Sequence, residues 1–339
     1  MIVGIDLGTT NSAIAFLGEH GPELIPNAVG GNLTPSVVGF EPQGHLLVGA
    51  AAREYQVIQP ERCATLFKRH MGTDWKFEID DRCFSAEELS AIILKSLRDD
   101  AEHRLGCSVA RAVITVPAYF SDQQRKATIR AGELAGLRVE RIVNEPTAAA
   151  MAYGLHEAGE EKTIAVFDLG GGTFDISVVD LFEGLIEVRA SSGESFLGGE
   201  DFTRSLAARV LHGFGIPYER AEVETPLLVS RMVQQCELAK RRLSSEASVE
   251  IRLPDKEGDL VDEAASETVT REQFEQWTEP LLARVELPIR RCLGDVRLRP
   301  SFIDEVILVG GATRMPSVRR RVDAFFQQPA HHRLNPDEV

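Results

Sequence analysis

IVGIDLGTTNSAIAF at residues 2–16 and IAVFDLGGGTFDISVVD at 164–180 are two versions of one design. In each, an apolar strand ends on an aspartate (Asp6 or Asp168), a short Gly/Thr turn follows, and a second apolar strand leads away. Asp168 stands 162 residues after Asp6, about half of the 339-residue chain. A hairpin repeated at that separation implies two related lobes, each offering one turn to a shared cleft. A single Gly-rich hairpin is ordinarily a tight turn and nothing more. Two matched copies, each with an acid at the strand end, point to phosphate binding. Gly170-Gly171-Gly172-Thr173 offers backbone N–H groups unobstructed by Cβ atoms, and Gly8-Thr9-Thr10 offers the same in the first half. Neither turn is a Walker A loop or a G-x-G-x-x-G fingerprint. Asp6 and Asp168 sit in apolar strands where an unpaired charge is costly, and a Mg²⁺ ion reached through its water shell would resolve that cost. Asp175 has the same setting, and turn N–H groups could satisfy it instead.

Composition narrows the classes. The chain is 43% hydrophobic and 26% charged, with a net charge of −15 and no long basic run. Nucleic acid is therefore not an expected partner, because its binding needs clustered Lys and Arg. Cys63, Cys83, Cys107, Cys236 and Cys292 are odd in number, scattered and without a C-x-x-C pair, so neither a disulfide framework nor a zinc site is expected. The N-terminus lacks a basic region followed by an apolar one, and no apolar run reaches the roughly 18 residues of a membrane span. A soluble, cytoplasmic protein without membrane contact is the expectation.

Strand-like and helical stretches mix throughout, which indicates α/β architecture. The sequence predicts a helix near 85–104 opened by a Ser85/Glu88 capping box. It predicts a strand at 112–117, a helix at 121–136 capped by Ser121 or Asp122, and a helix from 145 with Pro146 in its first turn. A helix near 226–243 is followed by strands, 255–267 reads as an exposed hairpin tip, and 302–311 returns to a buried strand ending in glycines.

Glu237, Lys240, Arg241 and Ser244 fall at i, i+3, i+4 and i+7, one stripe of that 226–243 helix. Such a stripe is most often a solvated face with a Glu–Lys pair. This one also carries a planar guanidinium suited to stacking, polar ends for ribose hydroxyls and a hydroxyl for a base edge. With Arg314 beyond Gly310-Gly311, an adenine could be sandwiched between Arg241 and Arg314. Cys236 adjoins the stripe. Lys240 and Arg241, one turn ahead, would lower its thiol pKa and make it sensitive to bound nucleotide.

GIDLGTTNS (4–12), VPAYFSDQQRKAT (116–128), NEPTAAAMAYGL (144–155), VFDLGGGTFDIS (166–177), FLGGEDF (196–202), ELAKRRLSS (237–245) and VGGATRMP (309–316) follow the order and spacing of DnaK-type heat-shock chaperones. Over nearly its whole length the chain resembles their nucleotide-binding domain; FKRHMG (67–72) and PAYFSDQQRK are most similar to the bacterial HscC-like branch. The resemblance implies an α/β, actin-like ATPase (ribonuclease H-like) fold, two lobes each of two subdomains around a central nucleotide cleft. Lobe I would be 1–157, with core 1–35 and 108–157 and an outer subdomain 36–107. Lobe II would be 158–339, with core 158–197 and 278–332, an outer subdomain 198–277, and 333–339 returning towards lobe I. It implies a slow ATPase using ATP/ADP, Mg²⁺ and K⁺. Thr9, Thr10 and Asn11 would form one phosphate loop, Gly170 to Thr173 the other, with Gly198, Gly199, Gly310, Gly311 and Asp337 further nucleotide contacts. Asp6 and Asp168 would order the Mg²⁺ water shell, and Asp175 and Thr173 would place K⁺ and the attacking water. Lys68 would approach the γ-phosphate, and Glu145 would assist hydrolysis and report nucleotide state through Pro117 and Arg125.

Partners implied are a J-domain co-chaperone and a nucleotide-exchange factor, acting on a monomer. Client peptides would be held only by a C-terminal domain expected beyond Val339. Two departures stand out: Ala312 occupies the place of a serine common in the adenine motif, and the hairpin 253–268 lacks the aromatics often found there. A small-molecule kinase or an actin-like filament protein on the same fold are the alternative classes. A kinase needs a second-substrate pocket with its own carboxylate base, for which the sequence offers no candidate.

Overall fold

The computed structural model describes residues 1–153 and 161–331. β1 (Ile2–Asp6) and β2 (Asn11–Gly18) pair antiparallel with Asp6 opposite Ala13, and β3 (Gly21–Leu24) extends the meander. β4 (Thr34–Pro35) pairs with the start of β2. A small sheet of β5 (Val38–Phe40), β6 (Leu46–Val48) and β7 (Cys63–Ala64) carries α1 (Ala50–Ile58). The hairpin β8 (Lys76–Ile79)–β9 (Arg82–Ser85) runs into α2 (Ala86–Leu105), which the Ser85/Glu88 capping box opens as expected. β10 (Arg111–Val116), α3 (Asp122–Leu134), β11 (Arg138–Asn144) and α4 (Glu145–Ala152) follow. A second capping box, Ser121 with Gln124, opens α3.

The second half begins with β12 (Lys162–Leu169), β13 (Phe174–Phe182) and β14 (Leu185–Glu194). After them come α5 (Gly199–Gly213), α6 (Tyr218–Glu224) and α7 (Pro226–Leu243). The hairpin β15 (Ser248–Arg252)–β16 (Ser266–Thr270) leads to α8 (Arg271–Ala283) and α9 (Glu286–Asp295). β17 (Glu305–Val309) and α10 (Pro316–Phe326) complete the described elements.

The internal echo is real in three dimensions. One sheet contains the order β10-β1-β2-β3 and the other β17-β12-β13-β14. In each, the first pair is parallel and the next two antiparallel. The registers match as well: Asp6 faces Ala13 in one hairpin and Asp168 faces Asp175 in the other, both seven residues apart. Asp175 is thus the acid that the second copy has and the first lacks.

Burial explains why β12 reads as a continuous apolar run. Ala165, Phe167 and Leu169 enter a large core with α5 and α7, while Ile164 and Val166 on the opposite face enter a smaller one. β17 divides in the same way, Val306 and Leu308 against Ile307 and Val309. The smaller core is completed by Ala149 and Ala150 of α4, a helix that leaves the first sheet and packs on the second. Two alanines let α4 lie close to that sheet, and Glu145 heads the helix, so this packing fixes where Glu145 stands. The other half has its own core, with Val3, Ile5 and Leu7 under α2 and α3.

Overfilling the α4 seat is predicted to be costly. Ala150→Leu should lower unfolding stability by about 1–3 kcal/mol through overpacking, read as an earlier urea midpoint.

Candidate functional site

β1, β10, β11, β12 and β17 all bring their C-terminal ends to one cleft. Asp6, Thr115, Glu145, Asp168, Gly170, Gly171, Val309 and Gly310 line its inner part, a pocket of about 120 Å³, together with Thr9, Thr10, Asn11, Lys68 and Thr173. Strand ends at a switch in sheet order are where open α/β sheets build ligand sites.

The two turns meet face to face. A Cβ on Gly171 would lie 1.9 Å from Thr10 Oγ1, so only glycine allows the approach. Behind them, the N-terminus of α5 docks backbone to backbone: Gly199 N donates to Gly170 O at 2.9 Å and Glu200 N to Gly171 O at 2.8 Å. A Cβ on Gly198 would lie 2.5 Å from the Gly171 backbone, which accounts for the glycine at that position.

Three carboxylates, Asp6, Glu145 and Asp168, and one ammonium line this pocket, and a fourth carboxylate, Asp175, interacts with them from beside it. Lys68 is 5% exposed on the turn Phe67–His70 and donates to Glu145 Oε1 at 2.8 Å. Burial alone would lower the Lys68 ammonium, but Glu145, Asp6 and Asp175 overcome it and hold the pKa above its ordinary value. Glu145 is raised by burial, with Lys68 pulling the other way and Asp6 adding to the rise. Asp168 is pushed up to about 8 by burial, then by Glu145 and Asp6. Asp175 is raised well above the carboxylate range by burial and by the charges of Glu145 and Asp168. Asp6 accepts from Thr115 Oγ1 at 2.7 Å.

These groups fit a phosphate and its cation. The hydroxyls of Thr9 and Thr10 and Oδ1 of Asp175 are buried and have no hydrogen-bond partner among the described residues. Acids crowded until their ionisation is suppressed are what a divalent cation would relieve. Among the described residues no three His, Cys, Asp or Glu side chains converge as direct metal ligands, so the aspartates do not form a ready-made protein cage.

A wider cleft of about 1230 Å³ opens beside the inner pocket, lined by Glu237, Lys240, Arg241 and Ser244 of the α7 stripe and by Gly311, Ala312 and Arg314 after β17. The sequence-predicted groups therefore meet, although the two sets lie 67 or more residues apart in the chain. Two details differ from the reading of the stripe alone. Lys240 is buried, and its three donors are all engaged, by Gly199 O at 2.8 Å, Thr203 Oγ1 at 2.9 Å and Glu237 Oε2 at 2.6 Å. It is a strut between α7 and α5 that leaves only its stem at the cleft. Glu237 is held ionised: burial opposes it, but Lys240, Thr203 and Arg241 bring its pKa to about 2.

Cys236 requires a correction. It is fully buried in the core beneath α7, and burial together with the Glu237 charge raises its thiol pKa instead of lowering it. Cys236 therefore points away from the cleft and is no nucleotide-facing thiolate. Asp337 lies outside the described residues.

The sequence reading gave no role to several residues that the structure places here. Arg53 of α1 lines the wide cleft and donates to Thr10 O at 3.3 Å. Arg69 donates to Gly172 O at 2.7 Å and to Asp201 at 2.8 Å. Only its neighbour Lys68 drew attention to Arg69, and nothing local marks Arg53. By contrast, Arg125, through which the resemblance had Glu145 report nucleotide state, donates to Ala118 O, Phe120 O and Asn144 Oδ1, tying the loop after β10 to the residue preceding Glu145.

Comparison with known proteins agrees with this architecture. The profile of the family described as Hsp70 protein matches residues 2–82 and 75–339. The chain belongs to the Hsp70 family, and it has the actin-like ATPase fold that the resemblance implied. Chaperone protein DnaK of Thermotoga petrophila and that of Thermotoga maritima are each 45% identical to it over 343 residues, covering 100% of this chain and 57% of the relative. Chaperone protein DnaK of Thermosipho melanesiensis is 44% identical with the same coverage. The chain thus spans 57% of the length of these relatives.

The raised Asp168 has a consequence for stability. The folded state holds this proton up to about pH 8 and the unfolded chain releases it near 3.8, so stability is lost as pH rises through that interval. Without nucleotide, Asp168→Asn should gain on wild type progressively from about pH 5 to pH 8 in thermal melts. A difference independent of pH would contradict the assignment.

Proposed function

We propose that the cleft binds ATP and ADP with magnesium and hydrolyses ATP slowly to ADP and phosphate, as the nucleotide-controlled part of a DnaK-type chaperone. The observation that carries this reading is the pair of facing turns beside Lys68, whose Thr9 and Thr10 hydroxyls are buried and without a partner among the described residues.

In this reading Thr9, Thr10, Asn11 and Gly170 to Thr173 cradle phosphate oxygens with backbone N–H and hydroxyl groups. Glu237, kept ionised, accepts from ribose hydroxyls while Lys240 braces it. Arg241 and Arg314 enclose the base, and Ser244 reaches its edge. Magnesium, when bound, supplies charge neutralisation on the phosphates, with Asp6 and Asp168 holding it through water. Lys68 meets the charge that develops on the γ-phosphate. Glu145, Asp175 and Thr173 position the attacking water, with K⁺ beside them. The protein's work is positioning and electrostatic stabilisation, as phosphoryl transfer requires.

The rest of the reading concerns the longer protein. Its nucleotide state would act on a client-binding domain, with a J-domain co-chaperone and an exchange factor as partners, in the cytoplasm and as a monomer. No described helix is long and apolar enough to cross a membrane. We also propose the lobe boundaries given above, with the outer subdomains inserted into the two duplicated cores.

Calorimetry with ATP, ADP and GTP, with and without magnesium, tests the binding. The adenine nucleotides should bind only with magnesium and stabilise the fold, whereas equal stabilisation by GTP would count against the base pocket. Lys68→Ala should slow single-turnover phosphate release about a hundredfold or more while sparing ADP affinity. An unchanged rate removes Lys68 from the mechanism.

A further inference from the structure

The turn Phe67–His70 is one place where the first half reaches the second at the phosphate end of the cleft, and each of its last three side chains takes a different target. Lys68 turns inward to Glu145. Arg69 crosses to the second half, where Nε donates to Gly172 O and a terminal nitrogen to Asp201 Oδ2. His70 stacks on Trp75, with centroids 4.6 Å apart and planes 10° apart, and meets the ring of Phe196 at 5.9 Å edge-on.

Phe196 lies on the segment between β14 and α5. Its ring also lies 5.6 Å from the Arg69 guanidinium, so it sits against both Arg69 and His70. Its backbone is held in turn, since Phe196 O accepts from Arg284 at 3.0 Å. Asp201 serves two donors at once, Arg69 and Gly198 N at 2.8 Å. The ion pair is mostly shielded, with the Arg69 side chain 8% exposed. Phe196 is 50% exposed.

We infer that Phe196 and Asp201 are positioning residues that clasp the turn 67–70 to the second half and so hold Lys68 where the γ-phosphate would lie. The inference rests on the hydrolysis reading above for the reaction it serves. The physical link is short. Arg69 and Lys68 are adjacent on a tight turn that follows Leu66 in the left-handed region, at φ 55°, so the backbone between them has little freedom. A clasp that fixes Arg69 therefore fixes the origin of the Lys68 side chain. Releasing Phe196 leaves both turns intact and lets the 67–70 segment drift, and displacements of about 1 Å are enough to lose large factors in rate.

The experiment is single-turnover phosphate release from pre-bound magnesium-ATP, with ADP affinity by calorimetry and thermal stability alongside. Wild type is compared with Phe196→Ala, Phe196→Tyr, Asp201→Asn and the Phe196→Ala/Asp201→Asn double variant. Phe196→Ala should slow release about tenfold and leave ADP affinity within about twofold, while Phe196→Tyr keeps the wild-type rate. The double variant should lose less than the product of the single losses, because both act through Arg69. Release at the wild-type rate in Phe196→Ala, or equal losses in the Ala and Tyr variants, overturns the clasp. If wild type binds ATP and releases no phosphate, the hydrolysis reading fails by itself. The clasp is then judged by Trp75 emission in a Trp277→Phe background: a shift on Phe196→Ala supports it, and unchanged emission overturns it.

Discussion

Four carboxylates, Asp6, Glu145, Asp168 and Asp175, share one buried junction with a single ammonium, that of Lys68. Charge of one sign gathered away from water is among the most expensive things a fold can hold. The Lys68–Glu145 pair compensates one acid, and Asp168 and Asp175 respond by holding their protons more tightly. The rest of the architecture keeps this cluster together. β1 and β12 each deliver an aspartate at a strand end, α4 delivers Glu145, and the turn 67–70 delivers Lys68. A cluster that costs stability in the ligand-free protein is the kind that a cation and an anion arriving together can relieve, so on the proposed reading stability and nucleotide binding would be coupled.

The duplicated sheets give that junction its two-sided form. Each half supplies one hairpin with the same strand order and register, and the Cβ-free approach of Gly171 to Thr10 lets the turns close on a common space. The halves are not interchangeable. Where the second hairpin has Asp175, the first has Ala13, so the excess acid lies on the side that also carries Asp168. Among the contacts between the halves, α4 packs on the second sheet through Ala149 and Ala150, and Arg69 reaches Gly172 and Asp201.

What could be read from the sequence was what depends on neighbouring residues. The hairpins, the Ser85 and Ser121 caps and the α7 stripe are local patterns, and each is found within a residue or two of its predicted place. Contacts between residues far apart in the chain were not readable. Two of the donors of Lys240 go to residues 41 and 37 positions away, and Arg69 meets Asp201 across 132 positions, so no window along the chain reveals these contacts. The misplacement of Cys236 is different, because its signal was present. Met232, Cys236, Ala239 and Leu243 recur at the helical spacing of a core stripe and are all buried. Adjacency to Glu237 in sequence means about 100° of rotation around the helix, which turns Cys236 from cleft to core.

The central claim is that two hairpins, one from each half, hold a single nucleotide between them. Hydrogen exchange followed by mass spectrometry during an ADP titration in magnesium tests it most directly. The account predicts that peptides covering 7–11 and 168–173 gain protection together, with one shared midpoint. Protection confined to one of the two turns, or two separate midpoints, would contradict a shared site.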